Sequence, residues 1–403
     1  MKIKILILSI ISTLGLTHSC TDSEKKSIAW TEYPPLLPAN GATIQHGLAS
    51  PFAGISNNAV IVAGGSNFPD RPLAEGGAKC FRADIFVLIE KNGIPEWLSG
   101  FRLEKPVAGG ASVSLDAGLL CIGGSGYDGI YDDVVLLTWN KKSREVEIQH
   151  YPSLPFPMTN MGAALVENVV YVAGGLTGDG ASNKFLQLDL SKQKNLGFGW
   201  EILPDLPGEG RQLPVMVAQD TPDGPSIFLF SGLAIPDKPA FPVIHTNGLR
   251  YDLKNQTWQI LPDIRTESDG KMHLLYAGCG VKSGKNEIIC MGGANYDILF
   301  DALKRENEAQ TAKQSGDQDA FQEYLEWKQF YLTQPVEWYG LNTDIVTYNT
   351  STGSWKIIGN LAFPAFVCAA IVEWKNGWLL INGEIKPGIR TPKVYYGELT
   401  ESK

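Results

Sequence analysis

The segment Val172-Ala173-Gly174-Gly175, a short apolar strand that ends in two glycines, is one of six related segments in this chain. The other five are Val62-Ala63-Gly64-Gly65, Cys121-Ile122-Gly123-Gly124, Phe230-Ser231-Gly232, Cys290-Met291-Gly292-Gly293 and Leu380-Ile381-Asn382-Gly383. Two of the six are degenerate, because a serine or an asparagine replaces the first glycine. The first five copies lie roughly 50 to 60 residues apart, which is the length range of kelch repeats that carry insertions, and the last step is longer. The chain is therefore predicted to contain six repeats.

Further strand signals follow each glycine pair. Most pairs are followed by a second apolar segment with an acidic residue or a tyrosine, and then by a turn and a tryptophan. The hairpin Tyr348-Asn349-Thr350-Ser351-Thr352-Gly353-Ser354-Trp355 shows this spacing. The corresponding tryptophans of other repeats are Trp97, Trp200 and Trp258. Each repeat is thus predicted to form a four-stranded antiparallel blade.

The two ends of the chain predict how the ring of blades closes. Residues 30–38 resemble the outermost strands that begin at Trp200 and Trp258, yet no blade precedes them. Residues 364–399 supply three strands and then stop. An N-terminal outer strand that completes the last blade would leave no exposed edge at the seam. We therefore predict an all-β fold, a six-bladed kelch-type β-propeller forming one domain over residues 29–403.

One segment, residues 300–334, breaks the repeat pattern inside the fifth blade. It is rich in Glu, Lys and Gln, with scattered apolar residues such as Leu303, Phe321 and Tyr331, and this composition favours helix. We predict a helical hairpin with a turn within residues 313–319. The hairpin is either a lid or a solvated decoration of the ring.

The N-terminus has the features of an export signal. Lys2 and Lys4 precede an apolar run that is too short to span a bilayer. The run ends in Leu16-Thr17-His18-Ser19-Cys20, which resembles the lipobox of bacterial lipoproteins. We predict a signal peptide over 1–19, lipidation of Cys20 and a tether over 20–28. The protein is therefore expected to be exported to the periplasm or cell envelope and anchored there by its lipid, with the outer membrane as the expected location. The alternative is an ordinary secretory signal with a chance cysteine.

The composition excludes several classes of partner and site. The chain has 403 residues, 34 Lys+Arg and 43 Asp+Glu, and the net charge of −9 gives no basic footprint for nucleic acid. The remaining cysteines are odd in number and the histidines are scattered, so neither a disulfide scaffold nor a metal site is expected. The GxGxxG match at 124–129 precedes a strand and is interpreted as a turn.

Candidate ligand-binding residues lie in the loops that follow the glycine pairs. These loops share one face of the ring with its central mouth, where ligand sites of closed β-rings usually lie. They contain Asn67, Asn295 and the segment from Glu384 to Arg390, in which Pro387-Gly388 is a turn signal that returns Arg390 towards Glu384. On residue types alone, the last two could equally form a structural ion pair, and Asn295 could simply form a turn.

Three motifs carry a resemblance to a known family. Phe52-Ala53-Gly54-Ile55-Ser56-Asn57-Asn58, Gly292-Gly293-Ala294-Asn295 and Ile381-Asn382-Gly383-Glu384-Ile385-Lys386-Pro387-Gly388-Ile389-Arg390-Thr391 resemble the N-acetylneuraminate epimerase (sialic acid mutarotase) family. The third motif stands at the opposite end of the chain from the first. This order of motifs resembles that of a cyclically permuted branch of the family.

The resemblance implies an isomerase that interconverts the α and β anomers of N-acetylneuraminate by opening and closing the sugar ring. It implies Glu384 and Arg390 as catalytic residues and Arg211 as a substrate-binding residue, with Asn295 and Asn67 as further candidate contacts. No metal or other cofactor is implied. The expected partners are a small sugar acid and, through the lipid anchor, a membrane, and the oligomeric state stays open. The alternative is a non-catalytic kelch propeller that binds glycan or protein at the cell envelope; a sialidase would need several Asp-box turns that are missing here.

Overall fold

The computed structural model describes residues 26–39, 41–235 and 241–401, and within them the chain forms a ring of six antiparallel sheets. The predicted signal peptide and Cys20 lie outside the described residues. From the inner to the outer strand, blade one contains Phe52–Ser56, Ala59–Ala63, Asp84–Lys91 and Ile94–Arg102; blade two contains Ala111–Leu115, Gly118–Gly126, Gly129–Asn140 and Glu145–His150; blade three contains Thr159–Val166, Val169–Thr177, Phe185–Asp189 and Glu201–Leu203.

The second half of the ring repeats this order. Blade four contains Val215–Thr221, Gly224–Phe230, Asn247–Asp252 and Thr257–Asp263; blade five contains Cys279–Ser283, Glu287–Met291, Asp344–Asn349 and Ser354–Asn360; blade six contains Ala370–Trp374, Gly377–Ile381, Val394–Glu401 and the N-terminal strand Lys26–Tyr33. Shorter elements are the strands Ser66–Asn67, Cys80–Phe81, Gly180–Ala181, Leu233–Ala234, Val243–Ile244, Glu384–Lys386 and Ile389–Arg390, and the 3-10 turns Leu73–Glu75, Leu190–Lys192 and Val336–Tyr339.

The N-terminal strand closes the ring as predicted. Lys26–Tyr33 pairs with Val394–Glu401 along its whole length, so the last blade takes its outer strand from the start of the chain. The strand begins at Lys26, slightly before the predicted domain boundary at residue 29. Trp30 packs edge-on against Phe363 and Trp378, with centroid distances of 5.0 and 6.4 Å.

The core consists of six apolar clusters, each lying between two neighbouring blades. The strand Ala59–Ala63 is buried along its entire length because each of its faces packs on a different blade. This explains why the second strand of a blade is a continuous apolar run rather than an alternating one. Stability is thus distributed around the ring.

The glycine pairs join consecutive blades. Gly64 has φ +68°, and a Cβ on it would clash with the carbonyl oxygen of Val107 at the entry to blade two. The N–H of Gly65 donates a hydrogen bond of 2.8 Å to the same carbonyl. In the degenerate pairs, Ser231 and Asn382 both adopt φ +58°, so the left-handed conformation is kept where the glycine is lost.

A closed circle of backbone hydrogen bonds surrounds the axis. Its members are the residues that precede the innermost strands, and all have left-handed φ; we call them the inner ring: Ser50, Gly109, Asn160, Leu213, Ala277 and Cys368. The N–H of each donates to the carbonyl of the member in the preceding blade, at 2.6 to 3.0 Å, and Ser50 closes the circle by donating to Cys368.

The helical insertion in the fifth blade is present. Helix α1 spans Tyr296–Ser315 and helix α2 spans Gln318–Thr333, so the insertion begins four residues before the predicted boundary. Gly316, at φ +79°, ends α1, and Asp317 caps α2 by accepting a hydrogen bond from the N–H of Ala320. Neither helix is long and apolar enough to cross a membrane, nor is any other helix in the described ranges.

Candidate functional site

Glu384 and Arg390 face each other across a two-stranded hairpin. Glu384–Lys386 pairs with Ile389–Arg390, and Gly388, at φ +80°, makes the turn that Pro387-Gly388 predicted. Nη2 of Arg390 lies 2.7 Å from Oε2 of Glu384. The structure therefore brings together the two residues that the sequence singled out as a pair.

The hairpin lies at the mouth of the ring. Glu384 exchanges two backbone hydrogen bonds with Val367, of 2.8 and 2.9 Å, and the next residue, Cys368, belongs to the inner ring. The equivalent bridge in blade one joins Ser66 to Ala49, next to Ser50 of the inner ring. Glu384 thus takes the place in blade six that Ser66 takes in blade one.

The side chain of Arg390 is buried but only partly satisfied. It is 7% exposed, against 21% for Glu384. Its Cζ lies 4.7 Å from the centroid of the Phe68 ring, which belongs to a loop of blade one. Its Nε and Nη1 have no hydrogen-bond partner among the described residues. A buried guanidinium with two unpartnered nitrogens is ready to bind an anionic or oxygen-rich ligand.

Opposing influences act on the carboxyl of Glu384. Burial raises the pKa of Glu384, while the positive charge of Arg390, a hydrogen bond from the N–H of Gly388 and the charge of Lys79 act to lower it; the net shift is upward. A raised pKa makes the carboxylate a stronger base, and the adjacent guanidinium stabilises its anion, so Glu384 can accept and return a proton.

Residues from several blades surround Glu384. Burial raises the pKa of Cys368 to about 11 and of Tyr331 and Tyr339 to about 12, and the nearby charge of Glu384 adds to each shift. Burial and the charges of Cys368 and Glu384 raise the pKa of Tyr276 as well. The sequence analysis assigned none of the four to the site. The density of aromatic residues between Phe321 and Tyr339 was a signal for Tyr331 and Tyr339, whereas no comparable pattern marks Tyr276 or Cys368.

The helical insertion docks beside the hairpin. Nζ of Lys386 donates a hydrogen bond of 2.7 Å to the carbonyl of Gln334 at the end of α2. Nε2 of Gln329 donates one of 3.3 Å to the carbonyl of Ala74 in blade one. The insertion therefore joins the hairpin of blade six to the loop of blade one.

Asn67 lies close to this cluster, next to Phe68. Its side chain is buried, at 4% exposed, and its Nδ2 donates to the carbonyl of Gly47 at 3.1 Å. Its Oδ1 has no hydrogen-bond partner within residues 26–39, 41–235 and 241–401. A cavity of about 490 Å³ is lined by Asn67 and His46, and a second of about 330 Å³ is lined by His46, Phe68 and Arg390.

Arg211 and Asn295 make contacts that hold the scaffold. The guanidinium of Arg211 donates to the carbonyls of Ser231 and Asn247 and to Oδ1 of Asn247, at 2.8 to 3.2 Å. Burial lowers the pKa of Arg211 to about 10, and the residue lies in blade four, two blades from Glu384. Oδ1 of Asn295 accepts a hydrogen bond of 3.1 Å from the N–H of Ile298 and so caps α1.

Comparisons with known proteins agree on one family. A family model described as N-acetylneuraminate epimerase matches residues 15–146 and 151–403. The N-acetylneuraminate epimerase of Haemophilus influenzae (strain PittEE) is 30% identical over 252 residues, covering 62% of this chain and 60% of the relative. The epimerase of Salmonella typhimurium is 26% identical over 245 residues, covering 60% and 57%.

Two other matches concern the fold. A kelch domain-containing protein of Vibrio cholerae is 27% identical over 246 residues, covering 61% of this chain and 63% of the relative. A solved structure described as that of YjhT matches 91% of this chain and 98% of its own, with a TM-score of 0.55 and 15% sequence identity. The chain spans about 60% of the length of the curated relatives that it matches.

Proposed function

Because this chain belongs to the N-acetylneuraminate epimerase family, we propose that it is a mutarotase that interconverts the α and β anomers of N-acetylneuraminate. The buried Glu384–Arg390 pair carries the proposal. The carboxylate is anchored by one guanidinium nitrogen, at 2.7 Å, while the other two find no partner in the part of the chain that the structure describes. A pair that served only the scaffold would be expected to satisfy those buried donors within the protein.

The proposed reaction opens and closes the sugar ring. Glu384 takes the proton of the anomeric hydroxyl, the bond between the anomeric carbon and the ring oxygen breaks, and the ring oxygen gains a proton from water or a second side chain. The keto form then presents its other face, and the hydroxyl that was the ring oxygen attacks the ketone carbon while returning its proton to water or to the second side chain. Glu384 gives its own proton to the carbonyl oxygen, which becomes the new anomeric hydroxyl. General acid–base catalysis of this kind contributes on the order of 10²- to 10⁴-fold.

Arg390 is proposed to bind rather than to transfer protons. A guanidinium stays charged at working pH, so its free Nε and Nη1 would hold the carboxylate of the sugar acid. Oδ1 of Asn67, also buried and unpartnered, would accept a hydrogen bond from a hydroxyl or from the N-acetyl N–H. Arg211 and Asn295 stay in the proposal as residues that shape the mouth, because both Nη atoms of Arg211 and Oδ1 of Asn295 bind the scaffold. Nε of Arg211 and Nδ2 of Asn295 are not used by these contacts.

We further propose an envelope location for the protein. The lipobox-like segment ending at Cys20 supports export, cleavage before the cysteine and anchoring through its lipid. We also propose that the order of the blades is cyclically shifted relative to other family members, since the sequence matches cover only 60 to 62% of this chain as one aligned stretch.

The test is proton NMR of α-N-acetylneuraminate freshly released from a glycoside, in which the H3 signals of both anomers are followed with and without the protein. The wild-type chain from Lys26 is expected to accelerate the approach to an unchanged equilibrium. Glu384→Gln should lose on the order of 10²- to 10⁴-fold of that rate. Glu373→Gln, an exposed glutamate of the same blade, is the matched control and should keep it.

Two results would contradict the proposal. If Glu384→Gln, folded as judged by circular dichroism, matched the wild type, Glu384 would not be the base. If the wild-type chain left the spontaneous rate unchanged, a kelch propeller that binds glycan or protein without catalysis would be the better description.

A further inference from the structure

We propose that Phe68 is a positioning residue that fixes the guanidinium of Arg390 against Glu384 and keeps its Nε and Nη1 directed towards the substrate. The inference rests on the function proposed above for this pair. It concerns a residue of blade one that does not belong to the catalytic hairpin.

The contacts of Arg390 leave its orientation underdetermined without Phe68. One nitrogen, Nη2, is bound to Glu384, and the other two have no partner within the described ranges. A planar cation held at one corner can tilt about that contact. The face of the Phe68 ring, 4.7 Å from Cζ, supplies the second constraint, because an aromatic face attracts a cation and favours a defined approach.

Phe68 is itself held by its own blade. The preceding strand Ser66–Asn67 pairs with Cys80–Phe81, and Asn67 donates a hydrogen bond to the carbonyl of Gly47. A Cβ on Gly388, at the turn of the catalytic hairpin, would clash with Leu73 in the same loop of blade one. The hairpin of blade six and the loop of blade one are therefore in close contact, and these contacts hold the backbone of the loop that contains Phe68.

Loss of this contact has a predictable effect on Glu384. Arg390 acts to lower the pKa of Glu384, so a guanidinium that tilts away lets the pKa of that carboxyl rise. The other groups that face Glu384 are Lys79, Cys368, Tyr276, Tyr331 and Tyr339. The thiol and the three phenols have pKa values raised above their usual range and are neutral near pH 7, so they cannot replace the cation. Nζ of Lys79 lies 4.8 Å from the centroid of Phe81, a ring that a substitution of Phe68 leaves unchanged.

The experiment compares Phe68→Leu, Phe68→Tyr and a matched control in the full chain. Phe101→Leu is the control, because Phe101 lies half-buried in the same blade and packs edge-on against Trp139 at 5.8 Å without a cation over its ring. The first readout is a carbon-13 NMR titration of the Glu384 carboxyl, whose signal is assigned by its loss in Glu384→Gln. The second readout is kcat/KM for anomer interconversion as a function of pH.

Phe68→Leu is expected to move the Glu384 titration to higher pH and to lower kcat/KM on the acidic side by about threefold to tenfold, the range of one cation–π contact. The loss should shrink as pH rises above the new titration. Phe68→Tyr, which keeps the ring face, should restore the wild-type titration, and Phe101→Leu should leave it unchanged. An unshifted Glu384 titration in Phe68→Leu, or an equal loss of kcat/KM at every pH, overturns the proposal.

The titration separates this inference from the proposed function. A shifted Glu384 signal in a protein that never accelerates anomer exchange would support the role of Phe68 and overturn the mutarotase. Should Phe68→Leu fail to fold, Phe68→Met tests the same loss of the ring face with an unbranched side chain, and its titration is read in the same way.

Discussion

At the scale of single residues, Glu384 is a carboxyl whose environment both penalises and supports its charge. Burial in the mouth favours the protonated form, while Arg390, Lys79 and the N–H of Gly388 favour the anion. The balance leaves the pKa above the ordinary glutamate value, which is about 4.3. A base is most useful when its pKa lies near the working pH, so the burial that costs stability here serves proton transfer.

This balance predicts how the rate depends on pH. The proposed base works only as the anion, so kcat/KM should be constant above the pKa of Glu384 and fall as pH drops through it. Because burial raises that pKa, the fall should begin at a higher pH than for an exposed glutamate. The measurement is kcat/KM by NMR between about pH 4 and pH 8. The pH dependence of kcat/KM reports the pKa values of groups in the free enzyme. The spontaneous rate is subtracted at each pH, and a profile without an acidic limb would contradict the prediction.

Only part of this site could be predicted from the sequence. Glu384 and Arg390 lie six residues apart around a Pro-Gly turn, so local turn chemistry was enough to bring them together. Phe68, Tyr276 and Tyr331 reach the pair from blades one and five, and no local pattern encodes a contact between blades. The burial of Arg211 could not be predicted from the sequence either, because its partners Ser231 and Asn247 are 20 and 36 residues away along the chain.

At the scale of elements, the insertion depends on its two N-caps. Asn295 caps α1 through Oδ1, and Asp317 caps α2 in the same way, with hydrogen bonds of 3.1 Å in both cases. Asn295 also stands in the loop that the sequence linked to substrate binding. Its two possible roles use different atoms, since the cap uses only Oδ1 and leaves Nδ2 for a ligand.

Substitutions at Asn295 separate these roles. Asn295→Ala should cost about 1 kcal/mol of stability through loss of the cap, whereas Asn295→Asp keeps an acceptor and should keep stability. If the cap is its whole role, Asn295→Asp also keeps kcat/KM. Urea unfolding and the anomer assay measure the two effects. Asp317→Ala is the matched control, because it removes the other cap and should cost the same stability.

A loss of kcat/KM in Asn295→Asp without a loss of stability would show that Nδ2 binds the substrate.

The sequence predicted that the insertion is helical from its composition alone. Its docking onto blades one and six could not be predicted, because Gln329 and Lys386 make those contacts with carbonyl groups that any sequence would offer.

At the scale of the whole molecule, the ring is closed by one strand from the far end of the chain. Lys26–Tyr33 completes blade six, and Ile28 and Trp30 pack onto the cluster between blades five and six. The strand therefore supplies both edge hydrogen bonds and apolar contacts at the seam.

Truncation tests the importance of this strand. A chain that begins at Pro34 should be less stable than one that begins at Lys26 by more than about 3 kcal/mol, since it loses the buried contacts of Trp30 as well as a strand of ladder. The chain from Lys26 is the control, because it lacks only residues that precede the strand. Unfolding in urea measures the difference, and equal midpoints for both chains would show that the seam holds without its outer strand.

The architecture of the ring was predictable because its signals repeat. Six glycine pairs show six blades, the first five at similar spacing and the sixth displaced by the helical insertion, even though two pairs are degenerate. Ser231 and Asn382 keep the left-handed backbone that the missing glycines would have adopted. The inner ring gave no such signal. Its members are Ser, Gly, Asn, Leu, Ala and Cys, because the shared feature is a backbone conformation rather than a side chain.

The inner ring also determines what the scaffold contributes to the electrostatic potential of the mouth. In an α-helix, aligned peptide dipoles add up and leave a partial charge at each end. The six peptide groups of the inner ring point head to tail around a circle, so the components of their dipoles along the circle cancel. These components therefore add no net dipole at the mouth, where side chains such as Glu384, Arg390 and Lys79 carry the formal charges. A ring of this kind could be adapted to ligands of either charge by changing loop residues alone.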